Sequence, residues 1–478
     1  MKKYTNKRDK PKVYIRADGN TEIGLGHIIR SLALANMLKE DFDCIFATRF
    51  LTPYIKKEAE VSCVEVTKLP EEGDKHFSSF LSLLSGREIV VLDNYFYPTE
   101  YQQLIKDKGC KLVCIDDIHD KHFVADVIIN HAGGLNRELY SSAPYSALYT
   151  GTEYALLRPS FLSRKKTQGD SIFISMGGAD KNNDTLNILE LLNRKNINKT
   201  CFVIIGDAYL HKTLLYEFCD KTTLNIKILK NLTAEEMSEI MLQCHYAICP
   251  PSTISYEYLS LIGGELYVNV IADNQKDLYK FFIKENLAFD TSSLFVKDKI
   301  QVSNSIEQQK KYFDGQSDKR LLNIFHKLEQ DKHLQLSDAK REDLDLYFKW
   351  VNDPDGRSNA LSSDLIKYED HCTWFTKKIA SHNTYLWILK YKDIPVGQIR
   401  FELENDCFII SYFIDSKYRG KGTGLSIVKL GIERLLKIRK GIALKALVKK
   451  TNIASCKIFE QLNFKKSSAN DNFFEYIK

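Results

Sequence analysis

Residues 11–35 read Pro-Lys-Val-Tyr-Ile-Arg-Ala-Asp-Gly-Asn-Thr-Glu-Ile-Gly-Leu-Gly-His-Ile-Ile-Arg-Ser-Leu-Ala-Leu-Ala. Val13 to Ala17 spells a short buried strand. Gly24-Leu25-Gly26 turns the chain tightly, and a helix follows whose apolar face includes Ile28, Leu32 and Ala35. A strand, a glycine turn and a helix N-terminus in succession make a pocket for an anionic or phosphorylated ligand, because free backbone N–H groups and the helix dipole converge there. A full G-x-G-x-x-G is absent, so the dinucleotide fingerprint is not met. His27 stands at the lip of the turn instead. Two roles are open to it: packing or capping near the helix start, or serving as general base, the usual task of an imidazole in a site.

Outward from this stretch, residues 11 to about 155 alternate strand and helix. Phe42–Thr48, Ile89–Leu92, Leu112–Ile115 and Val127–Ile129 are short apolar runs rich in β-branched residues, separated by segments of helical periodicity. That order predicts a parallel, doubly wound α/β sheet, in which ligands bind at the carboxyl ends of strands. The polar residues at those ends are Asp18 and His27, then Asp93, Asn94 and Tyr95, then Asp116 and Asp117, then Asn130 and His131. The run Asp116–His122 has the composition of a metal site. It reads instead as a polar strand-to-helix loop, since zinc recruits ligands from separated elements, and no metal is expected.

At 478 residues the chain has room for about three domains. Sixty-eight basic against 62 acidic residues leave a net charge of +6, too dilute for a nucleic-acid partner but suited to anionic small molecules such as nucleotide sugars or coenzyme A. Lys2, Lys3, Lys7, Arg8, Lys10 and Lys12 form a small basic arm, read as an unstructured tail. No 18-residue apolar run or signal-peptide core is present, which leads to the expectation of a soluble, cytoplasmic protein without a membrane partner. The eleven cysteines form no C-x-x-C pair, and Cys44, Cys114, Cys201 and Cys249 lie in apolar strands, so neither a disulfide framework nor a zinc finger is expected. Composition leaves the oligomeric state open.

A second α/β unit begins near Gly169. Strand Ile172–Ser175 leads into Met176-Gly177-Gly178-Ala179-Asp180 and a helix from about Asp184. The glycine pair lets backbone amides approach a phosphate closely. Cys201–Ile205 and Ile226–Leu229 are further strands. Thr233 and Glu236 carry a capping-box signal. Strand Tyr246–Cys249 ends in a Ser/Thr-rich helix start, where Ser252 and Thr253 could hold phosphate and Glu257 a ribose. Leu266–Ile271 is followed by Asn274 at another strand end. A last helix around Lys319–Leu328 gives way to a linker at Gln330–Leu334.

From about residue 335 the texture changes. Trp387–Tyr391 and Gly397–Glu402 read as antiparallel strands around the turn at Asp393-Ile394-Pro395. Strand Phe408–Ile414 precedes Arg419-Gly420-Lys421-Gly422-Thr423-Gly424 and an amphipathic helix. R-x-x-G-x-G between strand and helix makes an amide nest for a pyrophosphate. Ala443–Val448 follows, then Asn452-Ile453-Ala454-Ser455 opens a helix closing at Asn463-Phe464.

On these marks the C-terminal region resembles the GNAT superfamily of acyl-CoA N-acyltransferases. The resemblance implies acetyl-CoA as co-substrate, bound by Arg419, Gly420, Lys421, Gly422, Thr423 and Gly424 with Asn452 and Ser455. It also places Arg357, His371 and Trp374 in the segment that shapes the acceptor site. One departure is plain: many members carry a tyrosine, the general acid, where this chain has Phe459.

The first two units resemble the UDP-sugar hydrolases of pseudaminic acid biosynthesis, relatives of the MurG-type GT-B glycosyltransferases. The matching pieces are Arg16-Ala17-Asp18, Ile23 to Arg30, Asp93-Asn94-Tyr95, Ser175 to Asp180, Ser252 to Glu257 and Asn274-Gln275. The resemblance implies a GT-B-like pair of doubly wound Rossmann-type domains, residues 11–155 on the sugar side and 156–330 on the UDP side, before a GNAT domain at 335–478. It implies metal-independent attack of water on UDP-2,4-diacetamido-2,4,6-trideoxy-β-L-altropyranose. His27 would activate the water, with Asp18 fixing its tautomer. Asn94, Tyr95 and Asn274 would position the sugar. Gly24, Gly26, Gly177, Gly178, Ser252, Thr253 and Glu257 would bind UDP. A GNAT enzyme of the same pathway acetylates the 4-amino precursor, so the two halves read as consecutive steps. A GT-B glycosyltransferase, a UDP-sugar 2-epimerase, or one inactive half serving as a binding module are the alternatives.

Overall fold

The computed structural model describes residues 10–20, 24–162, 167, 169–206 and 208–478, and the backbone alone at Asn274. Lys2, Lys3, Lys7, Arg8, Ile23 and the Asn274 side chain, all singled out above, lie outside the described residues. The fold is mixed α/β, with parallel sheets in the N-terminal two thirds and a third, largely antiparallel sheet in the C-terminal region. It divides into two compact units. One holds the residues up to Asp120 with Ile129–Asn136 and Tyr149–Ile324; the other holds Lys121–Ile128, Arg137–Leu148 and Phe325–Lys478.

In the first unit, the strand read from Val13–Ala17 runs Lys12–Ala17. It sits between Asp43–Thr48 and Ile89–Asp93, parallel to both. Glu65–Lys68 lies outside Asp43–Thr48, and Lys111–Ile115 continues beyond Ile89–Asp93. The strand order therefore reverses between Lys12–Ala17 and Ile89–Asp93, and such a switch point opens a crevice at the carboxyl ends. Strands buried on both faces need apolar side chains throughout, and all five residues of Ile89–Asp93 are buried.

The second parallel sheet repeats the plan. Ser171–Ile174 lies between Thr200–Ile205 and Cys244–Cys249, with Asn225–Lys230 on one side and Glu265–Val268 and Phe289–Asp290 on the other. Its switch point falls where Ser175–Gly178 and Pro250–Ser252 leave their strands. Helix Ala234–Leu242 starts with the expected capping box: Thr233 Oγ1 accepts from Glu236 N at 3.2 Å, and Glu236 Oε2 accepts from Thr233 N at 2.8 Å.

The linker expected at Gln330–Leu334 is shorter than it reads. Helix Ser317–Asp331 runs further, and strand Leu334–Asp338 begins at once, leaving Lys332 and His333 between them. That strand pairs antiparallel with Thr384–Tyr391, which completes a hydrogen-bond ladder the local sequence does not announce. Ile394–Glu404 and Cys407–Ile414 continue the antiparallel sheet. Lys392 and Asp393 both take positive φ in the tight hairpin turn. Cys407–Ile414 then pairs parallel with Ala443–Lys449, over Cys407–Ile409 and Ala443–Lys445 alone. Beyond Ile409 these two strands share no ladder, which leaves a notch at the sheet's centre.

Candidate functional site

His27 falls in the first turn of helix Gly26–Leu38, whose start lacks a side-chain cap and so leaves its amides open. Gly24 takes φ +82 and donates its N–H to Asn20 O at 2.8 Å, a turn that favours glycine. The helix places His27, Arg30 and Ser31 against the end of strand Ile89–Asp93. Asp93 is fully buried. It lies 2.7 Å from His27 Nδ1, accepts from Arg30 Nη at 2.6 Å and from Arg30 Nε at 2.9 and 3.0 Å, and accepts from Ser31 Oγ at 3.0 Å. Burial opposes ionisation of Asp93, but Arg30 and His27 outweigh it and hold the carboxyl far below the usual carboxylate range.

An ionised oxygen 2.7 Å from a ring nitrogen needs a proton between them, so Nδ1 carries it and Nε2 is the ring nitrogen that Asp93 does not engage. Arg30 Nη, 3.1 Å from the same Nδ1, contributes charge there rather than a hydrogen bond. Arg30 also donates to Asp117 Oδ2 at 2.9 Å. The Tyr95 ring meets His27 edge-on at 4.8 Å between centroids. The arrangement is an oriented base: a buried carboxylate fixes the tautomer, and a buried guanidinium keeps that carboxylate ionised.

The partner of His27 is thus Asp93 and not Asp18. Asp18 is wholly buried and engaged elsewhere, by Arg16 at 2.5 and 2.8 Å, Arg49 Nε at 2.7 Å, Arg49 N at 2.7 Å and Thr48 Oγ1 at 3.1 Å. It ties three neighbouring chain segments together at the strand ends. Asn94 lies at the end of strand Ile89–Asp93: its side-chain oxygen accepts from Asp18 N at 2.7 Å and its amide donates to Asp18 O at 3.2 Å. That clasp joins two strand ends and uses both ends of the amide. The Asp116–Asp120 loop is an ordinary turn in which Asp116 Oδ2 accepts from His119 N at 2.8 Å. Among the described residues no three His, Cys, Asp or Glu side chains gather as metal ligands.

At the second switch point, Gly177 takes φ +82 and a Cβ at Gly178 would meet nothing within 4 Å, so this loop presents open backbone. Ser252 caps helix Thr253–Leu261 without a side-chain hydrogen bond, which leaves its first amides open as well. Asp180 turns back to accept from Asp184 N at 2.8 Å and Thr185 N at 2.9 Å and so fixes the glycine loop on helix Asp184–Arg194. Glu257 is 2 % exposed and held by Arg158 at 2.6 and 2.8 Å. Arg158 thus occupies one hydrogen-bonding position on each carboxylate oxygen.

In the C-terminal domain, Gly420 and Gly422 take φ +74 and +76, and Gly422 caps helix Thr423–Ile438. Thr423 Oγ1 donates to Tyr418 O at 3.0 Å and closes the loop. The Arg419 guanidinium turns to Asp353 and Asp355, at 2.6 and 2.8 Å, and the Lys421 ammonium to Lys417 O, at 3.0 Å, so both residues offer the loop their backbone. A Cβ on Gly424 would come within 2.9 Å of Ile458 Cδ1, the movable end of that side chain. Asn452 Oδ1 accepts from Ser455 N at 3.1 Å and caps helix Ile453–Gln461. Ser455 Oγ lies 2.7 Å from the Tyr412 hydroxyl. Lys327, from the preceding helix, donates to Gly422 O over the loop; local sequence gave no sign of it. His371 is 1 % exposed, packs on Trp374 and Phe375, and reaches Leu344 O at 3.1 Å, so it is a core residue rather than an accessible base.

Residues 333–465 match the family described as the acetyltransferase (GNAT) domain. With the glycine loop and the parted strands, that match supports acetyltransferase activity in this region. Over nearly its whole length the chain is similar to an uncharacterized protein of Methanocaldococcus jannaschii, 25 % identical across 95 % of this chain and 97 % of that one. A segment is 28 % identical to the UDP-2,4-diacetamido-2,4,6-trideoxy-beta-L-altropyranose hydrolase of Campylobacter jejuni, across 39 % of this chain and 67 % of that one. The spore coat polysaccharide biosynthesis protein SpsG of Bacillus subtilis is 24 % identical across 58 % of this chain and 83 % of that one.

Proposed function

We propose that this chain carries out two consecutive reactions on one nucleotide sugar. The C-terminal domain transfers an acetyl group from acetyl-CoA to the 4-amino group of a UDP-sugar. The first two domains, 11–155 and 156–330 in a GT-B-like pair, then hydrolyse the diacetamido product to UDP and free sugar. The observation that carries the hydrolase reading is the His27–Asp93–Arg30 cluster at the first switch point. The likeness to the Campylobacter hydrolase supports the same substrate class.

His27 Nε2 takes a proton from water as that water attacks the anomeric carbon, and Asp93 stabilises the imidazolium that forms. Help of this kind is worth roughly 10²–10⁴-fold. The open amides at Gly177, Gly178, Ser252 and Thr253, with Gly24 and Gly26, suit the departing diphosphate. Tyr95, whose ring meets His27 edge-on, would contact the sugar. In the acetyltransferase half, the loop at 419–424 holds the coenzyme A pyrophosphate. His27→Asn tests the assignment: UDP release is lost while acetyl transfer continues. Equal loss of both activities would make His27 structural.

A further inference from the structure

Phe459 stands where the resemblance calls for a tyrosine, and its ring is 1 % exposed, packed on Phe464 and Tyr476. No hydroxyl is therefore available at that position to protonate the departing thiolate. A second phenol lies close by. Tyr412 belongs to strand Cys407–Ile414, in the part beyond Ile409 that has lost its parallel partner. Its ring centroid is 6.4 Å from that of Phe459, and a Cβ on Gly424 would stand 3.6 Å from its Cε2 and 3.9 Å from its hydroxyl. The phenol thus lies between the start of helix Thr423–Ile438 and the start of helix Ile453–Gln461, beside the notch. Its hydroxyl meets Ser455 Oγ at 2.7 Å, and Asn452 holds Ser455 through its backbone N–H.

We propose that Tyr412 is the general acid of acetyl transfer, with Ser455 as the relay that restores its proton. This rests on the acetyltransferase reading above. The amine lone pair attacks the acetyl carbonyl carbon and a C–N bond forms. The C–S bond then breaks, its electron pair passes to sulfur, and the Tyr412 O–H proton neutralises the thiolate. The phenolate takes the Ser455 hydroxyl proton, and Ser455 is reprotonated from solvent, which also receives the proton the amine loses. The sum is amine plus acetyl-CoA giving acetamide plus coenzyme A. Burial pushes the phenol up to about 12, so it stays protonated at neutral pH.

The test compares two leaving groups in the full chain, with the 4-amino UDP-sugar as acceptor. Tyr412→Phe should lower kcat with acetyl-CoA by about 100-fold, within the usual range for a lost general acid, and leave the KM for acetyl-CoA unchanged. With the selenoester of coenzyme A, whose selenol is more acidic and departs unassisted, the loss should shrink to a few-fold. Ser455→Ala leaves the ring in place and should show the same dependence on leaving group, so the test survives a Tyr412→Phe chain that does not fold. An unchanged kcat in Tyr412→Phe, or equal losses with both esters in either variant, would overturn the assignment. Wild-type protein that binds coenzyme A yet acetylates no amine would instead remove the acetyltransferase reading, and the general acid with it.

Discussion

Asp93 fixes the tautomer of His27 from 66 residues away in sequence, across one strand boundary. Asp93→Asn keeps the shape but removes the charge, so His27 loses both its orientation and the counterion of its protonated form. UDP release should fall by roughly 10²–10⁴-fold while acetyl transfer persists; a loss below tenfold would separate Asp93 from the reaction. His131 makes a prediction of another kind. Burial, then the charge of Arg30, push its imidazole down to about 4. A depressed histidine stabilises the fold fully above its unfolded value, about 6.5, and loses that contribution as the pH falls toward 4. The melting temperature should therefore drop between pH 6.5 and 4.5, and His131→Gln should drop less over the same interval. An identical pH dependence in the variant would contradict this. At this scale the local sequence points to His27 at the helix start but not to Asp93 as its neighbour. His27 was legible because a strand, a glycine turn and a helix are local. The choice between Asp18 and Asp93 depends on which strands are neighbours and on how Arg16 and Arg49 neutralise Asp18, and neither follows from local pattern.

Among elements, those with local signals were readable and those completed by distant partners were not. The Thr233–Glu236 capping box is there as its spacing foretells. Thr233→Ala should cost about 1 kcal/mol, read as a lower midpoint in a denaturant titration, with both activities retained. The glycine loop at 419–424 is equally legible, since only glycine takes φ near +75° cheaply. A bulky residue at Gly422 or Gly424 should abolish acetyl transfer and spare hydrolysis of pre-acetylated substrate, followed by coenzyme A release and UDP release in parallel assays. At Gly424 a large side chain would have to push Ile458 aside and would crowd Tyr412, whose Cε2 lies 3.6 Å from the Cβ position. Strands Glu65–Lys68 and Leu334–Asp338 escaped notice because both are short, carry polar residues and owe their pairing to remote neighbours. The polarity of Gln330–Leu334 suits a loop and a helix end equally, and only the pairing of Leu334–Asp338 with Thr384–Tyr391 fixes where helix Ser317–Asp331 stops.

For the whole molecule, the α/β class and the two parallel sheets follow from alternating apolar runs, and the GNAT-type domain from the resemblance carried by the 419–424 loop and Asn452–Ser455. The grouping of Lys121–Ile128 and Arg137–Leu148 with the C-terminal unit does not, because nothing local marks which core those residues join. The central proposal is that one chain holds two consecutive steps on one nucleotide sugar. Phosphorus NMR of the purified chain with the UDP-linked 4-amino-4,6-dideoxy-N-acetyl-altrosamine, with and without acetyl-CoA, tests it most directly. Two steps in sequence predict free UDP only when acetyl-CoA is present. Free UDP without acetyl-CoA, or none in either sample, would contradict the account.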